Sequence, residues 1–189
     1  METALTPALG AVAQKLTAEE FDAIVRRHQR RVHRFLLMLL RDPEEADNLT
    51  QECFLRAFQN LSGFRGESSL ETWLLRIAAN LVRDHVRSRK TSFWRRLLGL
   101  EDDENGVAQR MPSGQASPEK ALLAREDVRA VWDVANQLSQ QQRAVFVLRF
   151  VEEMELHEIA TVLGLQVGSV KTHLFRAVQT VRGKLRDLR

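Results

Sequence analysis

Residues 137–189 read QLSQQQRAVFVLRFVEEMELHEIATVLGLQVGSVKTHLFRAVQTVRGKLRDLR, a helix followed by a helix-turn-helix pattern. Ala160 is small where two helices must cross closely, Gly164 supplies the positive φ that ends the first helix, and Val170 fills the space between them. The second helix carries one apolar stripe at helical spacing, formed by Val170, Leu174, Val178, Val181, Leu185 and Leu188.

The opposite side of this second helix is polar and mostly basic. Its first turns, where a recognition helix meets base edges and phosphates, carry Ser169, Lys171, Thr172, His173 and Arg176. Residues 166–189 hold six Lys or Arg and one acid, which favours attraction to a phosphate backbone. The pattern predicts a unit that reads duplex DNA, and a plain helical hairpin with a solvated basic face is the alternative.

The composition limits the possible domain size, partners and cellular location of the protein. The chain has 189 residues, of which 44% are apolar, enough to fill one or two small helical cores. A net charge of +3 hides a basic run at 26–34 and an acidic run at 42–53, which indicates separate surfaces for separate partners. The single cysteine, Cys53, fits a buried thiol in a reducing cytoplasm. No signal-peptide pattern and no apolar run of about 18 residues is present, so we expect a cytoplasmic protein.

Helical periodicity dominates the chain, and we predict an all-α fold of two small helical domains joined by a flexible linker. The predicted parts are a disordered tail (1–17), an N-terminal helical domain (18–90), the linker (91–118) and a C-terminal helix-turn-helix domain (119–189). Pro112, Gly114 and Pro118 interrupt any helix in the linker, whereas FWRRLL at 93–98 either extends the preceding helix or docks locally. Ser139 and Gln142 form a capping box before the DNA-reading pair.

Residues 41–58, RDPEEADNLTQECFLRAF, predict a helix with Asp42 as N-cap and Pro43 at its first position. Its inward stripe consists of Ala46, Leu49, Cys53 and Ala57. A second face combines acidic or amide groups with aromatic rings, namely Asp47, Gln51, Phe54 and Phe58. Such a patch suits a protein partner that bears arginines, and an ordinary acidic helix with a wide core face fits the spacing equally well.

Residues 69–90, SLETWLLRIAANLVRDHVRSRK, predict a helix with two different faces. The apolar face carries Leu70, Trp73, Leu74, Ile77 and Leu81, and the polar face carries Arg76, Asn80, Arg83, Arg87 and Lys90. An asparagine within a row of cations suits single-stranded DNA, because the amide can bond a base edge while arginines hold phosphates. Trp73 either lies in the core or stacks on a base, and Phe64 either surrounds a flipped base or belongs to an ordinary loop.

Four segments in this order resemble an extracytoplasmic-function (ECF) sigma factor of bacterial RNA polymerase: DPEEADNLTQECFLRAF, FRGESSLETWLLRIAANLVRDHVR, LSQQQRAVFVLRF and HEIATVLGLQVGSVKTHLFRA. The resemblance covers the chain from Phe21 to Leu188 except the linker. Each motif alone is weak, and the four in register are specific. The resemblance implies two helical domains, regions two and four, with a linker that passes through the polymerase.

The resemblance also implies roles for individual residues. It implies that Asp47, Gln51 and Glu52 dock on the clamp helices of the largest polymerase subunit, with apolar contact from Phe54 and Phe58. Capture of the minus-ten single strand falls to Phe64, Ser68, Trp73, Arg76, Asn80, Arg83 and Arg87. Reading of the minus-thirty-five duplex falls to Ser169, Lys171, Thr172, His173 and Arg176. The acidic run at 101–104 would lie along channels that later carry RNA.

The implied mechanism is promoter melting driven by binding, in which the polymerase does the chemistry. We therefore expect no enzymatic activity, no cofactor and no metal. His28, His33 and Cys53 fit no tight zinc spacing, and the two histidines are expected on a solvated, arginine-rich helix. The implied partners are core RNA polymerase, promoter DNA in duplex and single-stranded form, and an anti-sigma factor, which could hold the protein at the inner membrane until a stress or envelope signal arrives.

Some positions depart from the family pattern. Glu155 and Gln166 stand where a small capping residue usually precedes each helix of the DNA-reading pair. Leu70 and Leu75 occupy places that are often aromatic, and the chain has no tyrosine, which affects the assignment of individual base contacts. The competing interpretation is a LuxR-type helix-turn-helix regulator, because VKTHL also occurs in that pattern. It predicts a sensory domain upstream instead of the Asn80 stripe.

Overall fold

A computed structural model describes residues 17–97 and 131–187, and every regular element in these ranges is helical. This confirms the predicted all-α class. The helices are α1 (Ala18–Leu40), α2 (Pro43–Asn60), α3 (Leu70–Leu97), α4 (Gln140–Phe150), α5 (Leu156–Leu163) and α6 (Val167–Asp187). A 3-10 turn, Leu61–Gly63, follows α2, and residues 131–135 are helical. Helices α1 to α3 pack together in one compact unit, and α4 packs on α6 in the other.

The turn between α1 and α2 needs only two residues. Arg41 adopts a left-handed conformation with φ 61°, and its N–H donates to the carbonyl of Leu37 at 2.8 Å, which ends α1. The carboxylate of Asp42 then accepts hydrogen bonds at 3.1 and 3.2 Å from two backbone N–H groups of the next turn. Pro43 occupies the first helical position. The predicted start of α2 is confirmed.

The core of the N-terminal unit is built from one stripe of each helix. Its fully buried side chains include Val32, Phe35, Leu36, Ala46, Cys53, Ala57, Leu74, Leu75 and Ala78. Three of the four residues predicted as the inward stripe of α2 are buried, and Leu49 is half-buried. Phe54 is also in this core at 6% exposure, so its expected place on the outer aromatic patch is wrong. The ring packs inward because α1 and α3 flank α2 on both sides, which widens its buried face.

Helix α3 continues to Leu97, past the predicted domain boundary at residue 90. The FWRRLL segment therefore extends the helix as far as Leu97, one of the two predicted alternatives, and residues 91–97 contain neither glycine nor proline to stop it. The predicted tail up to residue 16, the remaining linker (98–118) and the predicted start of the C-terminal domain (119–130) lie outside the described residues.

The C-terminal unit begins with the predicted capping box, which is confirmed. The Ser139 hydroxyl accepts from the N–H of Gln142 at 3.4 Å, and the Gln142 side chain accepts from the N–H of Ser139 at 3.2 Å. One apolar cluster joins the segment before this cap to α4 and α6, and it contains Val134, Ala135, Leu138, Phe146, Ala177 and Val181. The cluster fixes α4 against the middle of α6.

Arg143 lies in this unit at only 8% exposure. Its guanidinium donates to the carbonyls of Ala135, Asn136 and Leu138 at 3.2, 2.6 and 3.2 Å. These carbonyls lie at the end of the helical turn at 131–135 or just after it, where backbone acceptors lose their intrahelical partners; that of Ala135 also accepts from the N–H of Leu138 at 3.2 Å. The buried guanidinium is tolerated because it donates hydrogen bonds to carbonyl groups at this helix end.

The turn between α5 and α6 has the predicted form. Gly164 has φ 65°, and the N–H of Leu165 donates to the carbonyl of Ala160 at 3.0 Å, a Schellman-type end for α5. Ala160 and Val170 are buried, as expected for residues of the helix-turn-helix interior. At the start of α5 the carboxylate of Glu158 accepts from the N–H of Glu155 at 2.9 Å, which is the bond that the third helical residue supplies in a capping box.

Candidate nucleic-acid and protein interfaces

One side of α2 points into solvent and combines polar with apolar groups. We call it the α2 face, and it consists of Asp47, Gln51, Glu52, Leu55 and Phe58. Leu55 and Phe58 are each 52% exposed, whereas the other large apolar side chains in the described part of this unit are buried or half-buried. The four-residue step from Gln51 to Leu55 places an apolar group directly beside an amide. An exposed apolar group with a polar rim marks a protein contact surface.

The apolar part of the α2 face packs against α1. The ring of Phe58 meets the ring of Phe21 edge-on, with centroids 5.0 Å apart. The sequence pattern pointed to Phe54 and not to Leu55, because the helical wheel alone does not show how wide the buried face of α2 is. The signal that identifies Leu55 is its spacing of four residues from Gln51.

The two acids of this face form hydrogen bonds with neighbouring side chains. Asp47 accepts from Nε2 of His33 at 3.0 Å, and Glu52 accepts from Nε of Arg56 at 2.7 Å. His33, which was predicted on a solvated, arginine-rich helix, is 33% exposed and pairs with α2, so its side chain is only partly in solvent. Asp47 and Glu52 both remain partly exposed, so a partner can still reach their free oxygens.

An open cleft of about 300 Å³ lies between α2 and α3 in the N-terminal unit. We call it the α2–α3 cleft, and it is lined by Arg56, Asn60, Trp73, Arg76, Ile77 and Asn80. Its α3 wall follows from helical spacing, because residues 73, 76, 77 and 80 lie on one side of the helix. The cleft therefore combines an aromatic ring, an aliphatic wall, two guanidinium groups and two amides.

Trp73 is half-buried and forms part of the cleft wall, so it serves neither as a fully buried core residue nor as a free surface ring. The ring of Phe64 lies 5.1 Å from it at an interplanar angle of 48°. Phe64 reaches this position because the 3-10 turn and the positive φ of Gly66 fold the loop back toward the start of α3. The predicted loop residue is thus brought next to the predicted aromatic residue of the helix.

The other predicted residues of this surface lie nearby in different environments. Arg76, Arg83 and Arg87 are exposed on α3, whereas Asn80 and Ser68 are half-buried. Ser69, which was not predicted as a cap, accepts from the N–H of Thr72 at 3.1 Å and caps α3. Arg56 and Asn60 were also missed, because their contribution requires knowing that α2 faces α3 across the cleft.

On α6, the predicted DNA-reading residues Ser169, Lys171, Thr172 and Arg176 are exposed. The Thr172 hydroxyl donates to the carbonyl of Gly168 at 3.0 Å, which leaves its methyl group and lone pairs available. His173 is half-buried, and its Nδ1 atom is buried without a hydrogen-bond partner among the described residues. Phe175 was missed and is 65% exposed, the most exposed of the large apolar side chains in the described parts of the chain.

Two titratable groups of the N-terminal unit have shifted pKa values. Burial raises the pKa of the Cys53 thiol to about 12, against a smaller opposing effect of Arg56, so the predicted core thiol is confirmed. Burial also lowers the pKa of His28, which Glu71 partly opposes. Within residues 17–97 and 131–187, no three His, Cys, Asp or Glu side chains come together in a way that could hold a metal ion. No helix in these ranges is long and apolar enough to cross a membrane.

Comparison with known proteins identifies a family for each of the two units. Residues 24–92 match the family Sigma-70 region 2, and residues 129–181 match Sigma-70, region 4. The RNA polymerase sigma-H factor of Pseudomonas aeruginosa is 32% identical over 168 residues, which cover 89% of this chain and 87% of that protein. The ECF RNA polymerase sigma factor SigW of Bacillus subtilis is 29% identical over 170 residues, which cover 90% of this chain and 91% of SigW.

Solved structures share the fold. The sigma factor RpoE of Bartonella quintana, crystallised in complex with the anti-sigma factor NepR, matches with a TM-score of 0.69 at 20% identity and covers 89% of this chain and 98% of its own. CnrH, solved in complex with the cytosolic domain of CnrY, matches with a TM-score of 0.65 at 23% identity and covers 95% of this chain and 96% of its own.

The chain is therefore a sigma factor, the class of initiation factor that directs bacterial RNA polymerase to promoters. Within that class it belongs to the extracytoplasmic-function family, as the four sequence motifs predicted. Sigma factors act in transcription initiation by binding core polymerase and promoter DNA, and the polymerase carries out the chemistry. The LuxR-type alternative is wrong, because the N-terminal half matches sigma region two where that interpretation requires a sensory domain.

Proposed function

We propose that the α2 face docks on the clamp helices of the largest polymerase subunit. Asp47, Gln51 and Glu52 supply acceptors for arginines or other donors of the partner, and Leu55 and Phe58 supply the apolar contact. The exposure of both apolar side chains beside the acids supports this assignment. Phe54 acts from the core by holding α2 in place.

The α2–α3 cleft captures an unstacked base of the minus-ten element. The observation that carries this proposal is the presence of Trp73, Arg76 and Asn80 around one open cleft of about 300 Å³. An aromatic ring stacks on any base, an amide bonds a base edge, and a guanidinium holds the flanking phosphate. Phe64 supports the ring of Trp73, and the exposed Arg83 and Arg87 extend the cationic track along α3.

The exposed side of α6 reads the minus-thirty-five element in duplex form. Lys171 and Arg176 are placed to contact phosphates or guanine, and Ser169 and Thr172 contact base edges or the backbone. Phe175 adds an apolar group that suits the methyl of thymine. His173 contributes less, because its Nδ1 atom is buried.

Promoter melting follows from binding at these surfaces. Unpairing and flipping a base costs a few kcal/mol, and stacking and hydrogen bonds in the α2–α3 cleft offset this cost only when the strand is open. The protein consequently favours the melted state without performing a chemical step, and core polymerase supplies the additional contacts that the process needs.

Control by an anti-sigma factor completes the proposal. RpoE and CnrH, which share the fold, were solved bound to NepR and to the cytosolic domain of CnrY. A partner of this kind would cover the α2 face or the DNA-reading surfaces until a stress or envelope signal releases it, and a membrane-anchored partner would hold the chain at the inner membrane. The protein would work in the cytoplasm.

The proposal is tested by adding the purified full-length chain to bacterial core polymerase. We expect a stable complex and transcription from templates selected out of a randomised promoter pool. Stable folding without polymerase binding would contradict the assignment of the α2 face.

Two sets of variants separate the surfaces. Lys171→Ala or Arg176→Ala should weaken promoter binding and leave polymerase binding unchanged, because only α6 is altered. The double variant Asp47→Ala, Gln51→Ala should weaken polymerase binding instead. Circular dichroism verifies that each variant is folded. If both sets lost both activities while folded, the proposed division between the surfaces would be wrong.

A further inference from the structure

His33 of α1 contacts one of the two acids on the α2 face. Its Nε2 atom lies 3.0 Å from Oδ1 of Asp47, so the imidazole bridges α1 and α2. The side chain of His33 is 33% exposed and that of Asp47 is 67% exposed. The histidine is therefore held at the edge of the α2 face, while most of the carboxylate stays open to a partner.

The charged groups around His33 come from two helices. On its own helix, the exposed Arg30 and Arg34 lie three residues before it and directly after it. On α2, Asp47 is the acid that it contacts, and the exposed Glu44 lies one turn earlier. Within residues 17–97, α3 contributes no hydrogen bond or ion pair to His33. A change in the charge of His33 therefore acts mainly on Asp47.

The imidazole ring can take up a proton in the physiological pH range. A neutral ring donates one N–H to Asp47 and leaves the carboxylate negative, whereas an imidazolium places a full positive charge beside it. That charge compensates Asp47 and repels an arginine or lysine that approaches the same carboxylate. A cationic partner is consequently attracted less strongly when His33 is protonated.

We infer that His33 makes polymerase docking sensitive to pH, because a proton taken up beside Asp47 weakens the hold of the α2 face on a cationic partner. The inference rests on the proposed docking role of this face and adds a form of regulation to it. Docking and protonation compete, so the complex binds this proton less tightly than the free chain does, and docking weakens as the pH falls from about 8 to about 6.

A second histidine–carboxylate pair on α2 provides a matched comparison. Nδ1 of His85 on α3 lies 3.5 Å from Oε2 of Glu45, and the two side chains are 16% and 32% exposed. Glu45 is not part of the α2 face. Protonation of His85 therefore acts on the packing of α2 against α3 and leaves the charge of the docking acid unchanged.

The experiment measures the dissociation constant of the fluorescein-labelled full-length chain and bacterial core polymerase by anisotropy, at constant ionic strength and at about pH 8, 7 and 6. Each variant is compared with the wild type on the same polymerase, so titration of polymerase groups cancels. His33→Gln keeps an N–H donor for Asp47 but cannot gain a proton. Between the highest and the lowest pH, we expect the wild type to lose roughly two- to fivefold more affinity than His33→Gln, the range for a partly exposed pair. His85→Gln should keep the wild-type pH profile.

The outcomes separate the inference from the function on which it rests. Asp47→Asn tests docking at the highest pH alone, and weaker binding there supports the α2 face. If Asp47→Asn weakens binding but His33→Gln follows the wild-type pH profile, or His85→Gln flattens that profile equally, the pH inference is refuted and the docking role stands. If Asp47→Asn leaves binding unchanged, the docking role of Asp47 fails, and the inference fails with it. Circular dichroism at each pH verifies that every chain is folded.

Discussion

Replacing Phe175 by alanine should reduce the discrimination between a selected minus-thirty-five element and a scrambled one. Phe175 lies on the exposed side of α6, one turn after Lys171 and directly before Arg176, and 65% of its surface faces solvent. Since the ring contributes little to the core in the free protein, the change acts on the DNA interface and not on folding.

The magnitude follows from the exposed area. A phenylalanine contributes about 200 Å² when it is covered completely. With 65% of that area exposed, about 130 Å² is available to DNA, which corresponds to about 3 kcal/mol at about 25 cal/mol per Å². We take about half of this exposed area to be covered in the complex, which corresponds to an expected loss of about 1.5 kcal/mol, or about tenfold in affinity for the selected element.

The assay is binding of holoenzyme to a labelled duplex by anisotropy at fixed salt, with the selected and the scrambled element compared in parallel. Phe175→Ala should lose affinity for the selected duplex only, because contacts to phosphates remain. Lys171→Ala should lower binding to both duplexes, since a phosphate contact carries no sequence information.

Uracil substitution provides the control on the DNA side. Uracil lacks the methyl group of thymine, so replacing the thymines of the selected element one at a time should weaken binding by the wild-type chain at one position. The same replacement should have no effect on Phe175→Ala. If every uracil duplex weakened both chains equally, or if Phe175→Ala kept full discrimination, the assignment of Phe175 to base reading would be wrong.

Three further predictions concern stability. Arg143→Met should lower the free energy of unfolding of the C-terminal unit by about 3 kcal/mol, because three carbonyls lose a charged donor, and urea denaturation measures it. Gly164→Ala should cost about 1–2 kcal/mol from its φ of 65° alone, since a Cβ there has no neighbour within 4 Å, and Gly164→Asn should cost less by the same measurement. Because the pKa of Cys53 is raised from 9.0 to about 12, the folded chain holds this proton longer than the unfolded chain does. Its stability should be unaffected below pH 9.0 and fall as the pH rises toward 12, a decline that Cys53→Ala should lack.

Most of the local structure followed from short-range rules. The caps at Asp42 and Ser139 were predictable because a side-chain acceptor two or three residues before free N–H groups is recognisable in the sequence alone. The turn at Gly164 was predictable for the same reason, since a left-handed residue at a helix end strongly favours glycine. The exposed residues of α6 were predictable because they follow from the 3.6-residue period of a single helix.

Predictions from the sequence were wrong where the environment of a side chain depends on a second helix. Phe54 was placed on a surface and is buried, and Leu55 was overlooked and is exposed, because the wheel of α2 does not show that α1 and α3 cover it from two sides. His33 was predicted on a solvated helix and is only partly in solvent, because it pairs with Asp47 of the next helix. In each case the deciding partner lies on a different helix.

By itself the sequence determined that the chain is helical, where α2 and α4 begin, where α5 ends and which family the chain belongs to, and it predicted which residues of α3 and α6 are suited to nucleic acid. Only the tertiary structure decided that Arg56 and Asn60 of α2 join Trp73 and Asn80 of α3 around one cleft, and that Arg56 reaches Glu52 at the same time. The reason is physical: hydrogen bonds and caps act within a few residues of each other, whereas a cleft depends on the angle and register at which two helices pack.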